Sequence, residues 1–138
     1  MRYAQIRSMD ISNGEGVGVS LFVQGCPFHC KNCFNSETWD FNGGKEWTEK
    51  IKNKFMELID RPYIKRVSFL GGECLAEQNL DEVLKLTQQI RNSFPDKTIW
   101  LYTGYDFDIL NSKYNEYKYT PFAASADEWL TRWEIISN

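Results

Sequence analysis

The chain has 138 residues, 25% charged and 42% hydrophobic, which is the composition of one globular domain and excludes a disordered or membrane-embedded chain. Sixteen Lys and Arg against nineteen Asp and Glu leave a net charge of −3, so the basic footprint of a nucleic-acid binder is missing. No run approaches the roughly 20 apolar residues that cross a bilayer, and the opening MRYAQIRSMDIS has no apolar signal core, so a cytoplasmic protein without nucleic-acid or membrane partners is expected.

VGVSLFVQG, residues 17–25, is an apolar, β-branched run stopped by Gly25, and it predicts a strand that delivers a cysteine-bearing loop at its C-terminal end. WTEKIKNKFMELID, 47–60, sets Trp47, Ile51, Phe55, Leu58 and Ile59 at helical spacing, with Pro62 just beyond; Trp47, Phe55 and Leu58 are core positions. IKRVSFLGGE, 64–73, predicts a second strand ending in a glycine turn. NLDEVLKLTQQIRNSF, 79–94, predicts a second helix with Asn79 as its N-cap and Pro95 after its end. KTIWLYTGY, 97–105, predicts a third strand, and DFDILNSKY, 106–114, begins a short helix after it. Strands alternating with helices give an α/β fold with a parallel sheet and right-handed crossovers. Ligands bind such sheets beyond the C-terminal strand ends. Those ends carry the cysteine loop, Gly71-Gly72-Glu73 and Thr103-Gly104-Tyr105.

Cys26, Cys30 and Cys33 occupy one eight-residue stretch, and only Cys74 lies outside it. In a reducing compartment clustered cysteines point to metal or redox chemistry, because structural disulfides are rare there. Three thiolates at C-x3-C-x2-C spacing suit three corners of an iron–sulfur cube, which usually takes four, so one iron is left open for substrate. Two other arrangements use Cys74 as a fourth ligand: a saturated zinc site, and a closed [4Fe-4S] centre that only carries electrons. Zinc sites usually show two separated C-x2-C pairs, and this chain has one.

The C-x3-C-x2-C loop is the hallmark of the radical S-adenosylmethionine enzymes, and the chain resembles them beyond that loop. NGEGVG, GCPFHCKNCFN, ETWDFNGGK, FLGGE followed by AEQNL, and IWLYTGY look together like the activating proteins of anaerobic (class III) ribonucleoside-triphosphate reductases, over roughly residues 3 to 110. The resemblance implies a single domain over 1–138, built as a partial (β/α) barrel with a mostly parallel sheet and shortened at its C-terminus, where residues 111–138 diverge from the family. It implies that Cys26, Cys30 and Cys33 ligate a [4Fe-4S] cluster whose fourth iron is chelated by S-adenosyl-L-methionine. Gly71, Gly72 and Glu73 would meet the methionine ammonium, and Phe34, Thr103, Gly104 and Tyr105 would lie near the adenosine. No catalytic group is implied beyond the cluster and its bound S-adenosylmethionine. The implied reaction is reductive cleavage to a 5′-deoxyadenosyl radical, which takes hydrogen from a glycine of the reductase. Implied partners are that reductase and a flavodoxin or ferredoxin-like electron donor; another glycyl-radical enzyme is the alternative target.

Cys74 stands where this family usually has proline, and Gly18 where it often has arginine; a free cysteine is most often a small buried apolar residue. His29, the single histidine, reads as a packed or solvated loop residue, and Glu73 as a site residue because it follows two glycines at a strand end. Gly14, Gly16 and Gly18 are spaced like a nucleotide loop, but no helix follows them at once, which excludes a dinucleotide fingerprint.

Overall fold

The computed structural model describes residues 1–105. The helix expected from 106 and the divergent segment 111–138 lie outside the described residues. Five strands, β1 (Arg2–Asp10), β2 (Gly18–Val23), β3 (Lys45–Glu46), β4 (Arg66–Gly71) and β5 (Thr98–Leu101), form one sheet in the order β3-β1-β2-β4-β5. Helix α1 (Glu49–Ile59) connects β3 to β4, and α2 (Glu77–Ser93) connects β4 to β5.

The expected strand–helix–strand alternation is present as β2, α1, β4, α2 and β5, with β2–β4 and β4–β5 paired in parallel. The sheet is nevertheless mixed, because β1 pairs antiparallel with both β2 and β3. Four strands therefore point one way and β1 the other. Among the described residues the sheet is open, with β3 and β5 at its edges, and is not closed into a barrel. β1 escapes a reading by periodicity because only Tyr3 and Asp10 of its nine residues are buried, so it carries no apolar alternation.

β2 is buried at every position and β4 at all but Gly71, as expected of central strands covered on both faces. The period of two divides them chemically. Val19, Leu21, Val23, Val67 and Phe69 share one hydrophobic core with Phe55 and Ile59 of α1 and Leu80, Val83, Leu86 and Ile90 of α2. Phe55 meets Phe69 edge-on, with ring centroids 6.3 Å apart. Trp47 and Leu58 are partly buried against this cluster. Of the alternate positions, Ser20, Arg66 and Ser68 are fully buried and polar, while Phe22 and Leu70 toward the C-terminal ends are apolar.

These polar groups bond to one another through every terminal nitrogen of Arg66, and among the described residues only its Nε is left without a partner. Arg66 donates to the Ser68 hydroxyl at 2.7 Å and the Asp10 carbonyl at 2.6 Å, while Asp10 accepts from Ser12, Asn13 and Ser20. The network ties the glycine-bearing turn between β1 and β2 to the N-terminal end of β4, so that turn is scaffold, and a strand follows it as expected.

α1 is capped by Thr48, whose hydroxyl accepts the Ile51 amide. α2 begins earlier than expected. Its N-cap is Ala76, and Asn79 lies inside the first turn, 1% exposed, where its side-chain amide donates to the carbonyls of Gln24 and Glu73. A tertiary demand from two strand ends outweighs the local capping preference of asparagine.

Candidate iron–sulfur site

The C-terminal ends of β2, β4 and β5 come together at one edge of the sheet. The backbone seams are direct: Gly72 donates to the Val23 carbonyl at 2.9 Å, Glu73 to Gly25 at 2.8 Å, and Tyr102 to Phe69 at 3.0 Å. The cysteine loop thus starts against the Gly71-Gly72-Glu73 turn. Gly71 has φ +104°, and a Cβ there would lie 2.9 Å from the backbone of Phe22 and Val23. A Cβ on Gly72 would run into the Gly25 carbonyl. Both glycines are required by strand contact alone.

The loop itself is anchored at its two ends. Gly25 and Cys26 donate to the carbonyls of Thr38 and Trp39, at 2.6 and 3.1 Å, and the buried Gln24 amide donates to Glu37 and Asp40. Between these anchors the chain turns through left-handed residues at His29 (φ 48°) and Asn32 (φ 62°), each immediately before a cysteine. Such residue types are the non-glycine residues that tolerate this region best. His29 stacks on Trp39 with ring centroids 4.6 Å apart and planes 5° from parallel, so it is a packed loop residue.

All four cysteines are free thiols. Cys26 and Cys33 are half-buried and Cys30 is exposed. Cys33 donates its amide to Cys30 at 3.2 Å, and the Asn35 amide lies 3.4 Å from the Cys33 sulfur, the kind of N–H···S contact that adjusts cluster potentials. Among the described residues no three His, Cys, Asp or Glu side chains are grouped so as to hold a metal ion. The donor set still fits a cluster of the [4Fe-4S] type, because three free thiols sit on one curled loop and that loop is anchored at its base. Cys74 does not join them. It is completely buried in the hydrophobic core, and burial, with the neighbouring Glu73 and Cys26, pushes its thiol well up.

Glu73 is 2% exposed and its carboxylate is occupied by the protein. Leu75 donates its amide at 2.8 Å and Gly104 at 2.7 Å, and the Thr103 hydroxyl lies 2.9 and 2.8 Å from the two oxygens. The Tyr105 amide in turn donates to that hydroxyl at 3.2 Å. Burial raises the Tyr105 phenol pKa, and the charges of Glu73, Cys26 and Glu77 add to the rise.

The sequence-predicted residues are therefore distributed unevenly. The three cysteines, Gly71-Gly72-Glu73 and Thr103-Gly104-Tyr105 share one edge, whereas Phe34 is 98% exposed. The aromatic that packs on the third turn is Phe28, with its ring 4.9 Å from Tyr105 and against Gly104. Sequence reasoning missed Phe28, Gln24 and Asn79. Position inside the loop was the only signal for Phe28, and nothing local marks the two amides as bridges between strand ends.

Residues 12–127 match the family described as 4Fe-4S single cluster domain. The chain is 40% identical over 114 residues to the anaerobic ribonucleoside-triphosphate reductase-activating protein of Escherichia coli K12, covering 81% of this chain and 74% of that protein. The protein of the same name from Vibrio cholerae is 39% identical over 76% of this chain and 69% of its own length. That from Enterobacteria phage T4 is 36% identical over 78% and 69%.

Proposed function

The chain belongs to the family of anaerobic ribonucleoside-triphosphate reductase-activating proteins, and from that membership we propose that it is a radical S-adenosylmethionine activase whose substrate is the glycyl-radical subunit of such a reductase. The observation that carries the reading is the meeting of three strand ends: a C-x3-C-x2-C loop is hydrogen-bonded to a Gly-Gly-Glu turn, which is hydrogen-bonded to a Thr-Gly-Tyr turn. In this reading Cys26, Cys30 and Cys33 hold a [4Fe-4S] cluster with one iron open to S-adenosylmethionine. When bound, this pair supplies one-electron cleavage of the sulfonium C5′–S bond, giving methionine and a 5′-deoxyadenosyl radical that takes hydrogen from a reductase glycine.

The chain's own residues bind and orient. The Gly71-Gly72 turn offers backbone carbonyls to an ammonium, and Thr103-Gly104-Tyr105 with Phe28 offers bare backbone and aromatic surface to a purine. The open sheet of the described residues is the wall of a partial barrel of the radical S-adenosylmethionine type, within one domain over 1–138. The electron comes from a flavodoxin or ferredoxin-like donor. The protein acts in the cytoplasm, whose reducing pool keeps its thiols free; no helix among the described residues is long and apolar enough to cross a membrane. Burial of Cys74 weighs against the rival electron carrier with four cysteine ligands.

Anaerobic reconstitution with iron and sulfide, dithionite reduction and an assay for 5′-deoxyadenosine test the proposal. Product that vanishes in Cys30→Ala, with a glycyl radical signal when the reductase is added, is the expected result. A reduced, fully loaded cluster that yields no deoxyadenosine even with the reductase present overturns it.

A further inference from the structure

We infer that Glu73 is a positioning residue: its buried carboxylate clasps the Thr103-Gly104-Tyr105 turn to the end of β4 and sets the surface for the adenosine half of the ligand, rather than pairing with the methionine ammonium. The inference rests on the S-adenosylmethionine reading of the site. Its physical basis is the occupancy of the carboxylate. Three groups make four contacts to the two oxygens: the Leu75 and Gly104 amides donate at 2.8 and 2.7 Å, and the Thr103 hydroxyl faces both oxygens. At 2% exposure the side chain has no face left toward solvent or a ligand.

The clasp extends the β4–β5 seam beyond the end of its backbone ladder. Among the described residues β5 is a four-residue edge strand whose one strand partner is β4. Its last ladder contact is the Tyr102 amide on Phe69. Beyond that point Thr103 and Gly104 are held by Glu73, and the Tyr105 amide is held through the Thr103 hydroxyl. Phe28, from the cysteine loop, then packs on Tyr105 and against Gly104, so the carboxylate fixes one wall of a surface whose other wall is the cluster loop. The Glu73 backbone carbonyl is engaged as well, accepting from the Asn79 side-chain amide at 2.9 Å and the Ala76 amide at 3.2 Å. An ammonium at this turn is consequently left to the carbonyls of the glycines.

The discriminating probe is 5′-methylthioadenosine, which keeps the adenosine and the sulfur but has no ammonium. Binding of this nucleoside and of S-adenosylmethionine is measured by anaerobic equilibrium dialysis on the cluster-loaded full chain, for wild type, Glu73→Gln, Thr103→Val and Thr103→Ser. In Glu73→Gln the amide group points donors at donors, so one charge-assisted hydrogen bond becomes a clash. A clasp predicts that both ligands weaken by the same factor, about tenfold. Thr103→Val reproduces the joint loss, and Thr103→Ser, which retains the hydroxyl, loses less. If Glu73→Gln weakens S-adenosylmethionine and leaves methylthioadenosine unchanged, Glu73 contacts the ammonium and the inference is overturned. It is overturned also if Glu73→Gln and Thr103→Val bind both ligands as wild type does. Should Glu73→Gln fail to fold, the Thr103 pair decides by the same comparison. Wild type that binds neither ligand removes the S-adenosylmethionine reading itself, a separate failure that is visible before any variant is compared.

Discussion

The Arg66 guanidinium fills the space that a side chain at Gly18 would need. A Cβ at Gly18 would stand 2.6 Å from Nη1 of Arg66 and 2.8 Å from its carbonyl oxygen, and the two residues are register partners across β2 and β4. The family resembled by the sequence often carries arginine at position 18; here a buried arginine reaches the same place from the neighbouring strand. Gly18→Arg should therefore destabilise the fold rather than restore a family feature, by about 1–3 kcal/mol from overpacking. Arg66→Ala strands Asp10 and should cost about 3–5 kcal/mol. In the Arg66→Ala background the added cost of Gly18→Arg should shrink, because only the carbonyl still obstructs it. A double-mutant cycle by urea denaturation reads that coupling.

Asp10 gives the fold an acid limit. Burial pushes its carboxyl up, but hydrogen bonds from Asn13, Ser20 and the Ser12 amide, with the Arg66 charge, outweigh it, and the net pKa is lowered. A carboxyl depressed in the folded state contributes stability that is present above its unfolded value, about pH 4, and is lost as pH falls through the folded one. The stability advantage of wild type over Asp10→Asn should hold at neutral pH and vanish in that acid window. Denaturation midpoints of both proteins across pH 2–7 (about the carboxyl range) check it.

Metal content separates the cysteines. Cys26→Ala, Cys30→Ala and Cys33→Ala should each abolish a stable four-iron cluster after reconstitution. Cys74→Ala should keep full iron and sulfide and lose only about 1 kcal/mol, the scale of a small buried side chain trimmed from a core. Cys74→Ser should cost more than Cys74→Ala, because it buries a hydroxyl among apolar neighbours. Iron and sulfide analysis paired with thermal denaturation measures both effects.

Gly25 links strand and loop. It has φ +102°, and a Cβ there would enter the Phe41 ring, so Gly25→Ala combines backbone strain with a clash. A loss of about 2 kcal/mol or more is expected. Gly25→Ala with Phe41→Ala should recover part of that loss but not the backbone strain. Gly16→Ala provides the contrast: its φ of +77° carries strain, but a Cβ there meets only Lys65 side-chain atoms at 3.4 Å or beyond. Its cost should be smaller. Urea denaturation of the four proteins orders them.

Local chemistry was enough to locate most of this architecture. β2, α1, β4, α2 and β5 were readable from apolar periodicity and glycine stops, and the cysteine spacing defined a loop whose chemistry follows from three closely placed thiols. β1 and β3 were not readable, since an exposed strand pairs through its backbone and leaves no side-chain pattern. Asn79 looked like a cap and is a bridge, because a buried amide that satisfies two strand-end carbonyls outweighs a terminal preference.

By itself the sequence determined which elements form and which residue types stand at their ends, because helical and strand periods, turn glycines and thiol spacing are local properties. Only the tertiary structure decided what those ends do to one another. Glu73 and Thr103 are thirty residues apart in the chain, and their hydrogen bond exists because parallel pairing of β4 with β5 aligns their ends. Cys74 lies one residue from Glu73 yet faces the core instead of the cluster loop, because successive side chains at a buried turn are divided by packing, and burial favours the neutral thiol.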